Sequence, residues 1–181
     1  MTQQVPENNI ADLSQGAIED LDRVIGTAIG VAREQLESVG AFLPFAIALE
    51  TTADASAASG GTDSEISEDD DAAPAGELRL LAVQPTEDPE DPDAEIDAEE
   101  MMAELVALIR QQEALYVAVA LVSDVTLVEE DRDAIHVNAE HREGGAAGAV
   151  SAYTSPADDA AEDAWIHDDP VAEIGVRLVW N

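Results

Sequence analysis

Apolar residues recur at helical spacing near the start of the chain. One stripe of a helix would hold Leu13, Ala17, Leu21, Val24, Ala28, Val31 and Ala32. Ser14 or Asn9 could cap the N-terminus of this helix, and Gly40 is typical of the residue just past a C-terminus. Gly26 and Gly30, one turn apart, either allow another element to approach closely or are merely tolerated. The pattern predicts one long amphipathic helix that ends at Gly40.

Two strands are expected next. "AFLPFAIALE" (Ala41–Glu50) alternates, and one face would carry Leu43, Phe45, Ile47 and Leu49. Pro44 near its start indicates a strand end, an edge or a bulge. "ELRLLAVQP" (Glu77–Pro85) has the composition of a second strand, and a hairpin is the simplest connection between the two. We therefore expect an antiparallel pair with a very long tip.

The tip of that hairpin, residues 52–76, is acidic and low in sequence complexity. It includes "TDSEISEDDDAAP" (Thr62–Pro74), within a stretch rich in Ala, Ser, Gly and Asp. Such a composition buries too little apolar surface to offset the entropy of ordering the chain. We expect a solvated, disordered loop there, and a polar tail at residues 1–12.

A second helix and a set of strands complete the predicted order. Asp97 with Glu100 matches a capping box ahead of apolar positions at helical spacing; those positions are Met101, Leu105, Leu108, Ile109 and Leu115. "YVAVALVSDVTLV" (Tyr116–Val128) is apolar on both faces over much of its length, which predicts a central strand. "AIHVNAEHRE" (Ala134–Glu143) alternates, "AAGAVSAYT" is a weaker strand, and "VAEIGVRLVWN" reads as a closing strand.

These elements predict a single α+β domain over residues 13–181. We expect an antiparallel sheet of about five or six strands with two helices packed on one face, in the order α-β-β-α-β-β-β, with a final strand after a loop. This element order is similar to that of roadblock-type dynein light chains and profilin-like folds, which implies a sandwich of that kind.

Charge changes the interpretation of the surface. The chain of 181 residues has 41 acids and seven basic residues, all Arg, for a net charge of −34. Residues 51–100 hold 17 of the acids, so the rest of the chain is strongly acidic too. Three interpretations stay open: adaptation to a salty medium, which we favour; a docking surface for a basic partner; and a nucleic-acid mimic. Direct binding to nucleic acid or to an anionic membrane is disfavoured by repulsion.

Three segments resemble a group of small, uncharacterised bacterial proteins. The segments are "GAFLPFAIAL", "VALVSDVTL" and "DAIHVNAEHREGG". The group's pattern is Gly-x-Phe-x-Pro-Phe-Ala, then Asp-Ala-Ile-x-Val-x-x-Glu-His-Arg-x-Gly. The matching positions are Gly40, Phe42, Pro44, Phe45, Ala46, Asp133, Ala134, Ile135, Val137, Glu140, His141, Arg142 and Gly144. The resemblance implies a cytoplasmic α+β domain and carries no activity.

The polar face of the predicted strand Ala134–Glu143 is the best candidate for chemistry. His136, Glu140 and Arg142 alternate onto one side with Asn138, and Asp124 should lie within one or two residue pairs of His136. An Asp–His pair beside Glu and Arg could act in acid–base catalysis. A sheet face held together by cross-strand charge pairs is the simpler interpretation, and we favour it.

Cofactor and metal signals are weak. Asp93–Glu104 has the ligand spacing of a calcium loop, but Ala98 stands where that loop needs Gly. His136 and His141 differ in parity along one strand, so they should point to opposite faces. Without Lys there is no phosphate-binding P-loop, and without Cys there is no thiolate chemistry. We expect neither metal nor cofactor.

Two tryptophans stand out in a chain that is only 3% aromatic. Trp165 with Ile166 either fastens an acidic loop to the core or forms an interaction knob, and Trp180 should pack on the sheet. The N-terminus has no signal-peptide pattern, and no apolar run approaches the roughly 18 residues of a membrane span.

The sequence thus leaves function open between two classes. The first, which we favour, is a non-catalytic, cytoplasmic interaction domain that binds a protein, a second copy of itself included. An acidic inhibitor or nucleic-acid mimic that binds a basic protein is a variant of that class. The second class is a small acid–base enzyme that uses Asp124 and His136.

Overall fold

The computed structural model describes residues 9–52, 76–85, 96–156 and 164–180. Residues 53–75, which hold nearly all of the predicted acidic loop and all of Thr62–Pro74, lie outside this range. Two helices and seven strands are present; they are α1 Gln15–Val39, β1 Phe45–Glu50, β2 Leu78–Ala82, α2 Ala98–Gln111, β3 Tyr116–Leu127, β4 Arg132–His141, β5 Ala146–Thr154, β6 Ile166–His167 and β7 Val171–Ile174. Where the tail 1–12 was expected, Asn9–Asp12 forms a 3-10 turn.

The strands form one antiparallel sheet in the order β2-β1-β3-β4-β5-β6, and β7 pairs with β5 beside β6. The prediction of an α+β fold is therefore confirmed. Strand β3 lies between β1 and β4, as its apolar faces indicated. Strand β2 pairs only with β1 among the described strands, so it is an open edge of the sheet.

Helix α1 forms because both ends are capped and one stripe is buried. The Ser14 side chain accepts a hydrogen bond from the Ala17 N–H, and Gly40 ends the helix with φ 88°, a left-handed conformation that suits a residue without Cβ. Gly26 and Gly30 are exposed, and a Cβ at either would meet nothing within 4 Å. The idea that these two glycines allow a close backbone approach is therefore wrong, and the helix tolerates them.

The two helices lie on opposite faces of the sheet, which corrects the expectation that both cover one face. Helix α1 packs on β3 and β4, and its core includes Phe45, Ile47 and Leu49 of β1. Helix α2 packs through Leu105 and Ile109 with the alternate residues of β1, Ala46 and Ala48. Because side chains of a strand alternate between faces, the apolar residues Phe45 to Leu49 of β1 pack against both helices.

Helix α2 begins as its sequence indicated. The Asp97 carboxylate accepts hydrogen bonds from the Glu99 and Glu100 N–H groups at 3.0 and 3.1 Å. Met101, Leu105 and Ile109 are buried along one stripe, whereas the predicted apolar position Leu115 is 41% exposed in a 3-10 turn after the helix.

The chain after β7 does not continue as the predicted closing strand. Residues 175–180 leave the sheet edge and cross the face that holds α2, where Val179 is buried beside Leu105. The crossing starts at Gly175, where a Cβ would stand 2.4 Å from the Ala147 backbone nitrogen. Only glycine allows backbone to lie this close to β5. We call residues 175–180 the C-terminal crossover.

Candidate functional site

The four candidate residues for acid–base chemistry, Asp124, His136, Glu140 and Arg142, do not form one site. Asp124 is opposite Ile135 in the β3–β4 register, whereas His136 is opposite Ser123. Cross-strand partners share a face, so Asp124 projects towards the α1 side and His136 towards the α2 side. Arg142 follows the end of β4 and is exposed. An Asp124–His136 acid–base pair is therefore not formed.

The middle of the predicted polar face is covered by the C-terminal crossover. Glu140 is 1% exposed, and its carboxylate accepts hydrogen bonds from the N–H groups of Leu178, Val179 and Trp180. Asn138 exchanges two hydrogen bonds with the Val176 backbone, at 2.7 and 2.9 Å. Both side chains bind the protein's own backbone, because a buried polar group needs a partner.

The His136 side chain is partly exposed to solvent, and its contact with a neighbouring carboxylate adds little to stability. Its Nε2 lies 4.0 Å from the Glu173 carboxylate on β7, with both side chains more than a third exposed. Exposed pairs of this kind contribute little, because water screens them. The arrangement is that of a surface ion pair.

Asp124 finds a different partner from the one expected. Its carboxylate accepts a hydrogen bond of 2.8 Å from the Tyr153 hydroxyl of β5. Partial burial raises the pKa of Asp124 above its ordinary value of 3.8 and the nearby Asp133 adds to this effect, while the Tyr153 hydrogen bond acts in the opposite direction. The pair links β3 to β5 across β4.

His141 lies on the α1 side, opposite in direction to His136, as the parity of the strand indicated. It is 3% exposed. Its Nδ1 accepts from the Glu143 N–H at 3.1 Å, and its Nε2 lies 3.3 Å from the Asp20 carboxylate of α1. With Nδ1 an acceptor, the neutral ring carries its proton on Nε2 and donates it to Asp20. Both ring nitrogens are thus engaged in fastening β4 to α1.

A cluster of polar side chains holds the segment that follows residue 164 against helix α1. Arg33 of α1 donates to the Ser151 hydroxyl and to the Asp168 carbonyl, at 2.9 and 2.8 Å. Ser151 is fully buried and donates to the same carbonyl, so its hydroxyl is not placed to act as a nucleophile. The cluster holds the segment in place and does not form an open site.

Aromatic side chains also hold this segment against the sheet. Trp165 stacks on His167 with ring centroids 6.4 Å apart, and both lie against Tyr153 of β5. His167 also reaches Glu37 of α1 at 3.2 Å. Trp165 therefore packs on the core, and Trp180 packs beside Val179 next to α2. Of the two roles considered for Trp165, the structure places it in the fastening one.

The described residues form an apolar groove of about 480 Å³ where α1 ends and β1 begins. We call it the edge groove; it is lined by Gln35 and Val39 of α1, residues 41–45, Leu80, Ala82 and Val83 at the end of β2, and Ile96. Its size is that of a pocket for a small molecule or a few apolar side chains. None of these described lining residues carries a titratable group, so they offer no acid–base chemistry.

The rim of the edge groove exposes large apolar side chains. Val39 is 78% exposed, Leu80 52%, Ile96 51% and Leu43 42%. They come from three separate parts of the chain and meet beside the edge strand β2. An apolar cluster of this kind in a monomer is typical of a surface that binds something.

The edge groove was not found from the sequence. Its residues fall in the first predicted helix, in the first two predicted strands and, for Ile96, just before the predicted cap Asp97, and none of them was assigned a binding role. The signal that could have found it is the run "AFLPF", Ala41–Phe45. All five residues of that run are apolar, although only one face of a strand end has to be buried. The run also follows a helix whose last residue, Val39, is apolar.

Metal and membrane sites gain no support from the described ranges. Within residues 9–52, 76–85, 96–156 and 164–180, no group of three His, Asp or Glu side chains could hold a metal ion. Part of the stretch Asp93–Glu104 lies outside these ranges. Neither helix that the structure describes is long and apolar enough to cross a bilayer.

Comparisons with known proteins add no relative. No protein-family model, no curated protein and no solved structure matches the chain. The similarity of element order to roadblock and profilin-like folds, and the resemblance to a group of bacterial proteins, therefore stay predictions.

Proposed function

We propose that this protein is a non-catalytic, highly acidic cytoplasmic interaction domain that binds another protein through the edge groove. The observation that carries the proposal is the meeting of Val39, Leu43, Leu80 and Ile96, all substantially exposed, around one concave apolar surface. Burying a large apolar side chain stabilises a complex by about 1.5–3 kcal/mol. A partner that covers these four would therefore gain a large part of its binding free energy here.

The enzyme alternative receives less support from the geometry. Asp124 and His136 project from opposite faces of the sheet, and Glu140 is occupied by the C-terminal crossover. The described lining of the edge groove offers no acid, base or nucleophile. An acidic inhibitor or nucleic-acid mimic stays open as a variant of the interaction domain, since either would bind a basic protein.

A second exposed apolar patch is a weaker candidate for the docking surface. Val171, Ile174 and Val176 are 66%, 68% and 59% exposed at the opposite edge of the sheet. They lie on one strand and its immediate extension, whereas the edge groove is concave and draws on three parts of the chain. Concave, desolvated surfaces hold the anchors that dominate binding, which favours the groove.

Site-specific photo-crosslinking tests the proposal. A photoreactive residue replaces Leu80 in one protein and Val128 in another; Val128 is 87% exposed in the β3–β4 turn, away from the groove. Both proteins are irradiated in lysate of the source cells at their native salt. We expect one defined protein to be crosslinked at position 80 and not at position 128.

The captured protein is then produced in pure form and its binding is measured by calorimetry. We expect saturable binding to the unmodified chain and at least about tenfold weaker binding to Ile96→Asp. In that variant a carboxylate replaces an apolar side chain that the partner would bury. Ile96 precedes the N-terminus of α2, where a carboxylate is favourable, so this variant should fold. Equal crosslinking at both positions, or equal affinity for Ile96→Asp, would refute the proposal.

A further inference from the structure

The edge groove marks the part of the sheet that helix α1 leaves uncovered. Helix α1 packs on β3 and β4, and to a lesser extent on β1. Strand β2 lies beyond β1, at the edge of the same sheet. Its residues Leu80 and Ala82 are opposite Ile47 and Phe45, so they project on the face that α1 covers. Leu80 is nonetheless 52% exposed.

The uncovered strip has the width of a helix. Neighbouring strands lie about 4.8 Å apart, so β2 is roughly 9–10 Å from β3, the nearer of the two strands on which α1 mainly packs. Packed helices lie about 8–10 Å apart, axis to axis. A second helix placed on β2 would therefore sit at normal packing distance beside α1 and would complete the helical layer on this face.

The molecule that carries the groove is strongly acidic, with a net charge of −34. Glu34 is exposed in the last turns of α1, which has no basic residue in its final turn. The C-terminus of a helix also carries partial negative charge. Arg79 lies on the other face of β2 and pairs with Glu50.

We propose that the edge groove receives an amphipathic helix from a basic partner protein, lying beside α1 over β2. This inference rests on the proposed function and specifies the partner's chemistry. The helix presents apolar residues at i, i+3 or i+4, and i+7 to Val39, Leu43, Leu80 and Ile96, and Lys or Arg on its flanks. A second copy of this chain fits less well, because each copy carries a net charge of −34.

Synthetic peptides of about 18 residues, long enough for five helical turns, test this helix. The first carries a leucine stripe at helical spacing and lysines elsewhere. The second has the same composition in scrambled order, the third replaces the lysines by glutamates, and the fourth alternates leucine and lysine as a strand. Binding is measured by fluorescence anisotropy at about 0.1 M and 1 M NaCl. Charge interactions between protein and peptide are screened much more strongly at the higher concentration.

We expect the stripe peptide to bind at least about tenfold more tightly than each of the other three. Circular dichroism should show that it becomes helical when bound. Leu80→Asp and Ile96→Asp should each weaken its binding by about tenfold or more, whereas Val128→Asp should leave the affinity within about twofold. Ile96→Asp keeps the test informative if the strand substitution Leu80→Asp fails to fold.

Four outcomes would overturn the inference. They are equal binding of the scrambled peptide, tighter binding of the alternating peptide, no binding at either salt, and a concentration-dependent dimer in sedimentation that Ile96→Asp abolishes. The photo-crosslinking experiment separates this inference from the proposed function. If a partner is captured at position 80 while the stripe peptide fails, the groove still docks a protein, but not through a basic helix.

Discussion

At the scale of single residues, buried polar side chains hold this fold together. Glu140 is the clearest case, because its carboxylate is almost fully buried and accepts from three successive N–H groups of the C-terminal crossover. A charged acceptor makes each such hydrogen bond stronger than one between neutral groups. The residue that suggested a catalytic acid is thus the anchor of a backbone segment.

Removal of this anchor should be costly. We expect Glu140→Ala to lower the free energy of unfolding by about 3 kcal/mol or more, since three buried N–H groups lose their acceptor. Glu140→Gln keeps one acceptor oxygen and should cost less. Chemical denaturation of both variants measures this, with Glu129→Ala in the exposed β3–β4 turn as the control, expected to change little. A loss for Glu140→Ala no larger than that of the control would contradict the assignment.

The contribution of Asp124 to folding stability should depend on pH, in a direction that follows from its raised pKa. Because burial raises its pKa in the folded state, proton binding at this site favours folding. That contribution is fully present below the ordinary pKa of 3.8 and is lost as pH rises through the raised value. Asp124→Asn, which can still accept from Tyr153, should therefore gain stability relative to the unmodified chain as pH rises from about 4 to 7.

Thermal melts of the two proteins across that pH range measure the difference. Asp124 is exposed to solvent, so we expect a small change, in the stated direction. Glu129→Gln, at an exposed site in the turn, serves as the control and should show no such trend. A difference between Asp124→Asn and the unmodified chain that is constant with pH would mean that the carboxylate titrates normally.

At the scale of elements, the residues that begin and end a helix are distinct from the residues that its interior merely tolerates. Both helices begin at the side chains that the sequence marked, Ser14 and Asp97, because capping depends on local backbone and neighbouring N–H groups. The C-terminus of α1 depends on Gly40 in the left-handed conformation. A Cβ added at either interior glycine of the same helix, Gly26 or Gly30, would meet nothing within 4 Å.

Two alanine substitutions in α1 should therefore have opposite signs. Gly40→Ala forces a Cβ into φ 88° and should destabilise the protein by about 1 kcal/mol. Gly26→Ala is exposed and helical, with open space around it, and should stabilise by about 0.5–1 kcal/mol. Urea denaturation of both variants measures the pair, and each serves as the control of the other. Shifts of the same sign would mean that Gly40 does not end the helix as described.

At the scale of the whole molecule, a net charge of −34 over 181 residues opposes compaction. The described ion pairs, such as Arg132 with Asp168, lie at the surface, and Arg132 lowers the pKa of Asp168 through their hydrogen bond. With only seven basic residues in the chain, most acids have no Arg with which to pair. Mobile cations must supply the remaining screening.

Salt should consequently stabilise the fold. We expect the melting temperature to rise as NaCl increases from about 0.01 M to 1 M, where the Debye length falls from about 30 to 3 Å. Equal concentrations of KCl should act similarly if screening is the cause, and a matching series in sucrose controls for general exclusion effects. A melting temperature that is flat or falls with salt would contradict the view that the acidity is an adaptation to a salty medium.

Much of the local structure could be predicted, because it depends on residues close together in sequence. The alternation of Ile135, Val137 and Ala139 correctly assigned them to the core, and the parity of His136 and His141 correctly set them on opposite faces. Prediction failed where a distant segment decides the environment. Asn138 and Glu140 looked like a solvent-facing pair until residues 175–180 covered them.

The candidate site shows the same division. Asp124 lies within the expected distance of His136 along the sheet, but a register difference of one residue places it on the other face. The edge groove could not be predicted, because its exposed residues come from three stretches that are far apart in sequence, Val39–Leu43, Leu80 and Ile96. Of these four side chains only Leu43 was singled out, as part of a strand face, and the structure leaves all four exposed.

The sequence by itself determined the class of the fold, the starts of both helices, the end of α1, the central strand and the strongly acidic composition, because these follow from periodicity, capping and composition. Tertiary structure alone decided that the helices lie on opposite faces, that the chain after β7 crosses the sheet, and that β2 is an edge strand among the described strands. The physical reason is that face and cover depend on contacts between distant segments, which local patterns do not encode.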